Sequence, residues 1–379
     1  MAVLSEISEA APRETAPSVW DLPVRLFHWA LLAAVATAGI TGFLLPLTWL
    51  NLHLIGGTVV AFLLAFRLVW GFTGSAYSRF ASFAFSPREI LYYAREQLGG
   101  RGRHFAGHNP LGAAMVFVLL TALAVLVITG TVALGGTEKQ GPLHAVISYA
   151  AGRLSLSVHQ LAAYGLLLLI AGHLGGVIFE SIRSGDNLPR AMVTGRKRLA
   201  SGLAEPAARP LATALMLVLV LGLLTVPGYA LWTMPPRGVP TRPMDPAYVK
   251  ACGDCHVVYH PSLRNAETWE QLLRQLDDHF GEDASLPADE VNHLRSYLEE
   301  NSSEHWDTRA ANVFRYDDPK DPLRITATAF WQHRHANIDP TVFKRRTVGA
   351  ESNCNACHGD AAAGRFAPQA IHIPEEKTQ

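Results

Sequence analysis

Apolar residues along the chain are concentrated in five long stretches that are separated by more polar connections. The stretches cover residues 28–47, 52–71, 111–133, 158–180 and 210–232. Each approaches the roughly 20 apolar residues that an α-helix needs to cross a bilayer. Buried helices of a soluble protein are the alternative, but a run such as ALMLVLVLGLLTV at residues 214–226 favours a membrane. The pattern predicts five transmembrane helices.

Positive charges are distributed unequally among the connections. The second connection contains Arg79, Arg88, Arg95, Arg101 and Arg103, and the fourth contains Arg183, Arg190, Arg196, Lys197, Arg198 and Arg209. The first and third connections contain only Lys139 and Arg153. Because connections rich in Lys and Arg stay in the cytoplasm, the N-terminus is predicted to be cytoplasmic. Five crossings of a bacterial inner membrane then place everything after Trp232 in the periplasm.

These features divide the chain into six segments. Residues 1–19 lack the basic start and apolar core of a signal peptide and are predicted to be a disordered cytoplasmic N-terminus. The others are a four-helix transmembrane domain at 20–185, a cytoplasmic basic loop at 186–209, a fifth transmembrane helix at 210–232, a Pro-rich linker at 233–246 and a mostly α-helical periplasmic domain at 247–379. The predicted fold class is all-α.

Composition and net charge agree with this division. Apolar residues make up 49% of the chain and charged residues only 17%, which is unusual for a soluble enzyme. The formal net charge is zero, so there is no basic field of the kind that binds nucleic acid. The expected surroundings are a lipid bilayer, with no nucleic-acid partner.

All four cysteines lie in two Cys-x-x-Cys-His motifs. Cys252 and Cys255 are followed by His256, and Cys357 is followed by His358, with Cys354 completing the second motif. In this pattern the two thiols bond the vinyl groups of haem c and the histidine binds its iron. A four-cysteine zinc site or a redox dithiol is the alternative, but neither requires a histidine after each pair.

Each of these irons needs a second axial ligand, which in electron carriers is usually Met or His. The two nearest methionines, Met234 and Met244, lie in the linker, so a histidine is expected on both irons. The candidates are His260, His279, His293, His305, His333, His335 and His372. Most of them must have other roles, because only two ligands are needed.

Four histidines lie in the predicted membrane helices, where an ionisable side chain usually has a function. His28 and His53 are near the starts of the first two helices, and His159 and His173 are on the fourth. Fourteen residues of helix rise about 21 Å and return to nearly the same face, so His159 and His173 fall at two depths. These depths match His53 and His28, which predicts two haems b, each bound by two imidazoles. Isolated hydrogen-bonding roles are the alternative.

Other histidines and several glycines receive less specific interpretations. His104, His108 and His144 lie near helix ends or in a connection and are expected to be interfacial. Four glycines next to the candidate ligands would let a flat macrocycle approach the backbone, or would let helices pack closely. They are Gly56, Gly57, Gly175 and Gly176.

The first half of the chain resembles bacterial cytochrome b-561, including the cytochrome b subunit of nickel-iron hydrogenase. The resemblance spans residues 19 to about 185 and is carried by VWDLPVRLFHW, HLIGG, RLVWGFTGS, GHNPLGA and HQLAAYGLLLLIAGH. It implies a four-helix bundle in which His28, His53, His159 and His173 bind two haems b that exchange electrons with a quinone.

The C-terminal domain resembles the di-haem cytochrome c family known as DHC. The resemblance runs from Cys252 to about Pro374, on CGDCHVVYHPSL, TWEQLLRQLDDHFGEDA, RSYLEEN, LRITATAFWQHRHANI and NCNACHGDAAAGRF. It implies that His279 and His335 are the distal ligands, and that a small periplasmic haem protein is the partner. The chain therefore looks like a fusion of two cytochromes.

The main hypothesis is electron transfer from quinol through two haems b and two covalent haems c to a soluble periplasmic acceptor. A quinol:cytochrome c oxidoreductase activity is the enzymatic form of this hypothesis. The alternatives are reverse flow into quinone from a periplasmic dehydrogenase or superoxide, a haem-based sensor, and a terminal reductase of extracellular metal. The sequence contains no acid-base or nucleophilic constellation typical of hydrolases or transferases.

Overall fold

The computed structural model describes residues 19–99, 105, 107–197, 208–316 and 321–375. Most of the predicted disordered N-terminus, His104 and parts of both basic connections lie outside the described residues. The first seven helices are α1 (Leu22–Phe43), α2 (Leu50–Thr73), α3 (Pro87–Leu98), α4 (Pro110–Ala133), α5 (Tyr149–Ser184), α6 (Leu188–Thr194) and α7 (Pro210–Trp232).

Five of these helices, α1, α2, α4, α5 and α7, are long and apolar enough to cross a membrane, which confirms the predicted number. Many of their large apolar side chains stay exposed in the folded chain, for example Leu161 at 73%, Leu168 at 75% and Leu219 at 61%. Apolar surface of this extent is unfavourable in water and favourable in lipid. The protein is therefore a multi-pass membrane protein.

The helix ends differ from those that the apolar stretches predict. The α5 helix has 36 residues, whereas the apolar stretch covers only 158–180. At 1.5 Å per residue the helix is about 54 Å long, which exceeds the roughly 30 Å hydrocarbon core. Hydropathy finds only the apolar part of a helix, and α5 extends beyond it at both ends into segments that contain Arg153 and Arg183.

The region after α7 contains short helices, as predicted for the C-terminal domain. They are α8 (Pro246–Gly253), α9 (Ala266–Arg274), α10 (Ala288–Glu300), α11 (Arg309–Phe314), α12 (Ala329–His335) and α13 (Pro340–Phe343). Side-chain caps begin several of them: Asn265 accepts a hydrogen bond from the Thr268 backbone N–H, and Thr328 accepts one from Trp331. The β-structure of the described residues is limited to isolated bridges.

The chain forms two compact units. One comprises Met1–Val35, Val59–Ala124 and Tyr164–Leu221, and the other comprises Ala36–Thr58, Val125–Ala163 and Gly222–Gln379. All five membrane helices contribute residues to both. In the first unit, Phe27, Leu64 and Leu120 form an apolar cluster. In the second, Tyr248, Leu294 and Leu298 form the core that supports α8, α9 and α10.

Asp21, immediately before α1, organises the polar end of the first unit. Its carboxylate accepts hydrogen bonds from the Val24 backbone N–H at 2.9 Å, the Trp70 indole at 3.0 Å and the hydroxyls of Ser75 and Ser78 at 2.5 and 2.7 Å. Burial alone would raise the pKa of Asp21, but these hydrogen bonds to the charged form hold it below its usual value. Asp21 therefore joins the start of α1 to the end of α2.

We expect Asp21→Asn to lower the free energy of unfolding by about 1–3 kcal/mol, because an amide cannot accept from all four donors. The measurement is the thermal unfolding midpoint of the purified protein in detergent. The difference from the unmodified protein should be largest near neutral pH and should shrink as the pH falls through the lowered pKa of Asp21. The matched control is Ser82→Ala, which removes an exposed hydroxyl nearby. Equal losses from both variants would contradict this role.

Candidate haem sites

His53 on α2 and His159 on α5 form a pair within the second unit. Their ring centres are 6.2 Å apart and their planes are nearly perpendicular, at 77°. Two imidazoles that bind one metal atom from opposite sides, each at about 2 Å, have ring centres about 6 Å apart. The spacing of this pair therefore fits a single iron between the two rings.

The Nδ1 atoms of both rings face backbone carbonyls of the preceding helices. The Nδ1 of His53 lies 3.0 Å from the Ala38 carbonyl, and the Nδ1 of His159 lies 3.1 Å from the Leu126 carbonyl. Since a carbonyl can only accept, the proton is assigned to Nδ1 in each ring. This leaves each Nε2 with a free lone pair for a metal, which is the usual arrangement around ligating histidines.

A threonine and a glycine complete the surroundings of each ring. The Thr41 hydroxyl lies 3.3 Å from the His53 Nδ1, and the Thr129 hydroxyl lies 3.2 Å from the His159 Nδ1. A Cβ added at Gly42 would come within 3.2 Å of the His53 ring, and one added at Gly130 within 3.0 Å of the His159 ring. A methyl group at either position would therefore push the neighbouring imidazole by a few tenths of an ångström.

Sequence reasoning missed these contacts, although the sequence carries a signal for them. The tripeptide Ile-Thr-Gly occurs at residues 40–42, near the end of α1, and again at residues 128–130, near the end of α4. Each copy supports the histidine of the helix that follows in the chain. A search for short repeats near helix ends would have found it.

His28 on α1 and His173 on α5 belong to the first unit. Their imidazoles lie within electrostatic range of each other, and the His28 ring also meets the edge of Trp29 at 5.4 Å. The His28 Nδ1 is buried without a hydrogen-bond partner among the described residues. The structure thus places the second predicted pair within electrostatic range of each other, and the described residues show no threonine hydrogen bond to His28.

Three of the four glycines next to the candidate ligands are not required for contact between helices. An added Cβ at Gly57, Gly175 or Gly176 would meet no atom of the described residues within 4 Å. Of the two roles considered for them, helix packing is therefore the one that the described structure does not support.

The first Cys-x-x-Cys-His motif lies opposite His279. The ring centres of His256 and His279 are 6.3 Å apart, and the His256 Nδ1 lies 3.0 Å from the Val257 carbonyl. A tight turn presents His279: Phe280 and Gly281 both have positive φ angles, of 55° and 93°. Glycine tolerates this conformation without the steric cost that other residues have, which explains the His-Phe-Gly element.

The second motif lies opposite His335. The ring centres of His335 and His358 are 6.2 Å apart. The His335 Nδ1 donates to the Trp331 carbonyl one turn earlier on α12, at 2.8 Å, and the two rings stack with centres 4.4 Å apart. His333 is exposed. It lies two residues before His335 on α12, so its side chain projects from a different face of the helix. The geometry thus favours His335 over His333.

The other candidate histidines have different surroundings. His260 is buried, packs against Trp306, and accepts a hydrogen bond from the Ser262 backbone N–H; burial lowers its pKa to about 4. His293 lies 3.1 Å from the Asp245 carboxylate on the surface. His305 and His372 are exposed. Neither His260 nor His293 shows a ring pairing with a motif histidine.

The four cysteines suit covalent attachment better than a zinc site or a redox dithiol. Among the described residues, which include all four, there is no group of three or more side chains that could hold a metal ion. Burial raises the pKa of the Cys252 thiol to about 11, and also raises the pKa of Cys354 and Cys357. A redox dithiol needs the opposite shift.

His144 is buried and His108 is half-buried. The His108 ring lies between Trp20 and Phe83, at 4.7 and 4.5 Å, and burial lowers its pKa to about 3. The His144 ring nitrogens face the carbonyls of Gly141 and Met234 at 2.7 and 2.9 Å. His144 therefore has no nitrogen free for a metal, and its role is structural.

Taken together, the donor chemistry fits haem. Three pairs of imidazoles have ring centres 6.2–6.3 Å apart, and a fourth pair lies within electrostatic range. Two of the pairs include the histidine of a Cys-x-x-Cys-His motif. Two imidazoles complete the coordination of an iron whose other ligands come from a porphyrin.

Comparisons with known proteins match both halves of the chain. The family model "Prokaryotic cytochrome b561" matches residues 19–195, and "Dihaem cytochrome c" matches residues 248–366. The Probable Ni/Fe-hydrogenase 1 B-type cytochrome subunit of Escherichia coli K12 is 27% identical over 209 residues, which cover 47% of this chain and 88% of that protein. The Probable Ni/Fe-hydrogenase B-type cytochrome subunit of Rhodobacter capsulatus is 23% identical over 220 residues, covering 50% and 84%.

A solved structure of DHC purified from Rhodobacter sphaeroides is 32% identical to part of the chain. The match covers 33% of this chain and 100% of that chain, with a TM-score of 0.27. Residues 19–195 belong to the prokaryotic cytochrome b561 family and residues 248–366 to the dihaem cytochrome c family, so this chain is a membrane electron-transfer protein that uses haem b and haem c.

Proposed function

We propose that the chain carries electrons from membrane quinol to a small haem protein in the periplasm, through two haems b and two haems c. The observation that carries the proposal is the repeated imidazole pair. The pairs His53/His159, His256/His279 and His335/His358 all have ring centres 6.2–6.3 Å apart. The pair His28/His173 provides the fourth site.

In this proposal the residues of the chain hold the haems and orient the imidazole rings that bind them. Haem supplies a one-electron change at its iron. The Ala38 and Leu126 carbonyls hold the protons on the Nδ1 atoms of His53 and His159, and so keep each Nε2 directed at the site. The four cysteines attach the other two haems covalently. Two imidazoles on each iron leave no open position, which argues against a sensor that binds a small ligand.

The direction of electron flow and the location of the C-terminal domain are parts of the same proposal. The unequal distribution of Lys and Arg supports a cytoplasmic N-terminus, and hence a periplasmic C-terminal domain in a bacterial inner membrane. The hydrogenase subunits among the relatives support a role next to other redox proteins. Haem potentials measured against the quinone couple decide between electron flow from quinol and reverse flow into quinone.

Pyridine haemochrome analysis of the purified protein should give equal amounts of haem b and haem c, two of each per chain, because each imidazole pair binds one haem. Replacement of Cys354 and Cys357 by Ser should remove one haem c and leave haem b unchanged. A single haem b per chain, or a protein without haem c, would contradict the proposal.

We expect His335→Ala to open one coordination position, so that the reduced variant binds carbon monoxide at one haem c. The matched control is His333→Ala, because His333 lies two residues away on α12 and is exposed. The measurement is the difference spectrum of the reduced protein with and without carbon monoxide. Binding in the His333 variant, with none in the His335 variant, would reverse the assignment.

Gly130→Ala should lower the haem b content from two to about one per chain, because its methyl group would lie about 3.0 Å from the His159 ring and displace it. The control is Gly222→Ala on α7, where an added Cβ meets no described atom within 4 Å. Haem b is measured relative to protein after purification. An unchanged haem b content in the Gly130 variant would show that the imidazole tolerates displacement.

A further inference from the structure

Asp307 joins three parts of the second unit. Its carboxylate lies 2.7 Å from the Lys139 Nζ, in the connection between α4 and α5, and accepts from the Tyr149 backbone N–H at 2.9 Å. Its own backbone N–H donates to the Gly238 carbonyl in the linker at 2.8 Å. The Lys139 side chain is only 3% exposed. The C-terminal domain is therefore fixed against this connection, and the linker is pinned rather than free.

The linker has little room to move at this point. Gly238 has a φ of +61°, and an added Cβ would lie 2.5 Å from the Asp307 Cβ. The Arg237 backbone N–H donates to the His144 carbonyl at 3.0 Å. His144 itself faces the Met234 carbonyl through its Nε2. The Pro-rich linker thus runs along the α4–α5 connection.

A second contact involves the segment that follows the second Cys-x-x-Cys-His motif. The side-chain amides of Gln140 and Gln369 exchange two hydrogen bonds, of 3.4 and 3.2 Å. The turn Pro368–Ala370 also packs against the turn Leu47–Trp49, which lies between α1 and α2. This segment therefore contacts both connections of the second unit that lead into the helices of His53 and His159.

The same segment is bonded to the second motif itself. The Gly359 backbone N–H donates to the Ala370 carbonyl at 3.0 Å, and the His372 N–H donates to the Cys357 carbonyl at 2.8 Å. The rings of His358 and Phe366 lie 5.1 Å apart. Hydrogen bonds thus join the motif at Cys354–His358 directly to the segment around Gln369, which contacts the connections between the membrane helices.

The first motif connects to the second through Tyr259. The Tyr259 hydroxyl donates to the Ser352 carbonyl at 3.0 Å and accepts from the Cys354 backbone N–H at 2.9 Å. Tyr259 lies three residues after His256, so it links the two attachment sites directly. The residues from Gly253 to Val257 are exposed, whereas Cys354 and Cys357 are half-buried.

We infer that the two attachment sites are used in a fixed order, an inference that rests on the proposed function. Electrons pass between the His53/His159 pair and the Cys354–His358 site, then to the Cys252–His256 site, which serves the soluble partner. The haems held at these sites would pass one electron at each step, the donor iron being oxidised from ferrous to ferric and the acceptor iron reduced from ferric to ferrous, with no proton transferred and no bond formed or broken. Quinol is the source of the electrons: its oxidation to quinone would release two electrons, which enter the chain one at a time, and two protons, which go to the solvent.

Photo-cross-linking tests which of the two attachment sites lies against the connections between the membrane helices, independently of electron transfer. The haem-loaded chain in membrane vesicles carries p-benzoylphenylalanine in place of Gln369, or, as the matched control, in place of the exposed Val257. We expect position 369 to cross-link to peptides that contain residues 44–49 or 134–148, and position 257 to give no such product. Cross-links to these peptides from position 257 alone, or from neither position, would overturn the inference.

Stopped-flow spectroscopy with decylubiquinol tests the order. With Cys354 and Cys357 replaced by Ser, the remaining haem c should be reduced at least about tenfold more slowly, whereas haem b is reduced as in the unmodified chain. With Cys252 and Cys255 replaced by Ser, the remaining haem c should be reduced at the normal rate, and only delivery to added soluble cytochrome c should slow. The opposite pattern would refute the order.

Tyr259→Phe is a milder test that remains informative if the cysteine variants fail to fold, because it removes one hydroxyl and leaves both attachment motifs intact. It should slow the step between the two haems c without changing haem content or the reduction of the first one. An unchanged rate would contradict the inference that the contact through Tyr259 positions the two attachment sites for electron transfer between them. If quinol leaves haem b oxidised in the unmodified chain, the proposed function fails, and the cross-linking result still decides which site is docked.

Discussion

The three closest candidate haem sites depend on holding two imidazoles about 6 Å apart. An imidazole on a long helix can rotate, so the distance between two helices does not by itself fix this arrangement. The carbonyls of Ala38 and Leu126 bind the Nδ1 protons of His53 and His159 and so fix the rotation of both rings. The same two contacts join α1 to α2 and α4 to α5.

The C-terminal domain reaches the same spacing by different means. His335 bonds to the Trp331 carbonyl of its own helix, and His279 is presented by a tight turn with two successive positive φ angles. Of the motif histidines, His256 has its Nδ1 3.0 Å from the Val257 carbonyl, whereas the His358 Nδ1 is buried without a hydrogen-bond partner among the described residues. The adjacent cysteines would fix both positions further by attaching the haem. A short chain segment with local hydrogen bonds thus does what two packed helices do in the membrane.

Much of this arrangement could be predicted from the sequence, because its signals are local or periodic. Long apolar runs gave the five membrane helices, cysteine spacing indicated the attachment motifs, and a spacing of fourteen residues placed His159 and His173 on one face. What could not be predicted depends on contacts between distant residues. Asp21 gathers donors from about 50 residues away, and no periodicity marks the contact between Gln140 and Gln369. The ends of α5 were missed because hydropathy measures lipid exposure and not helix length.

The buried pair of Lys139 and Asp307 has a consequence for how the chain is inserted into a membrane. The two residues are 168 positions apart, so Lys139 is a free cation on the growing chain until Asp307 has been synthesised and folded. Orientation in a bilayer responds to the charges of the unfolded segment, whereas the mature protein shows a neutralised pair there. The positive charge that Lys139 contributes to this connection is therefore present while the chain is being inserted and is neutralised once Asp307 has folded against it.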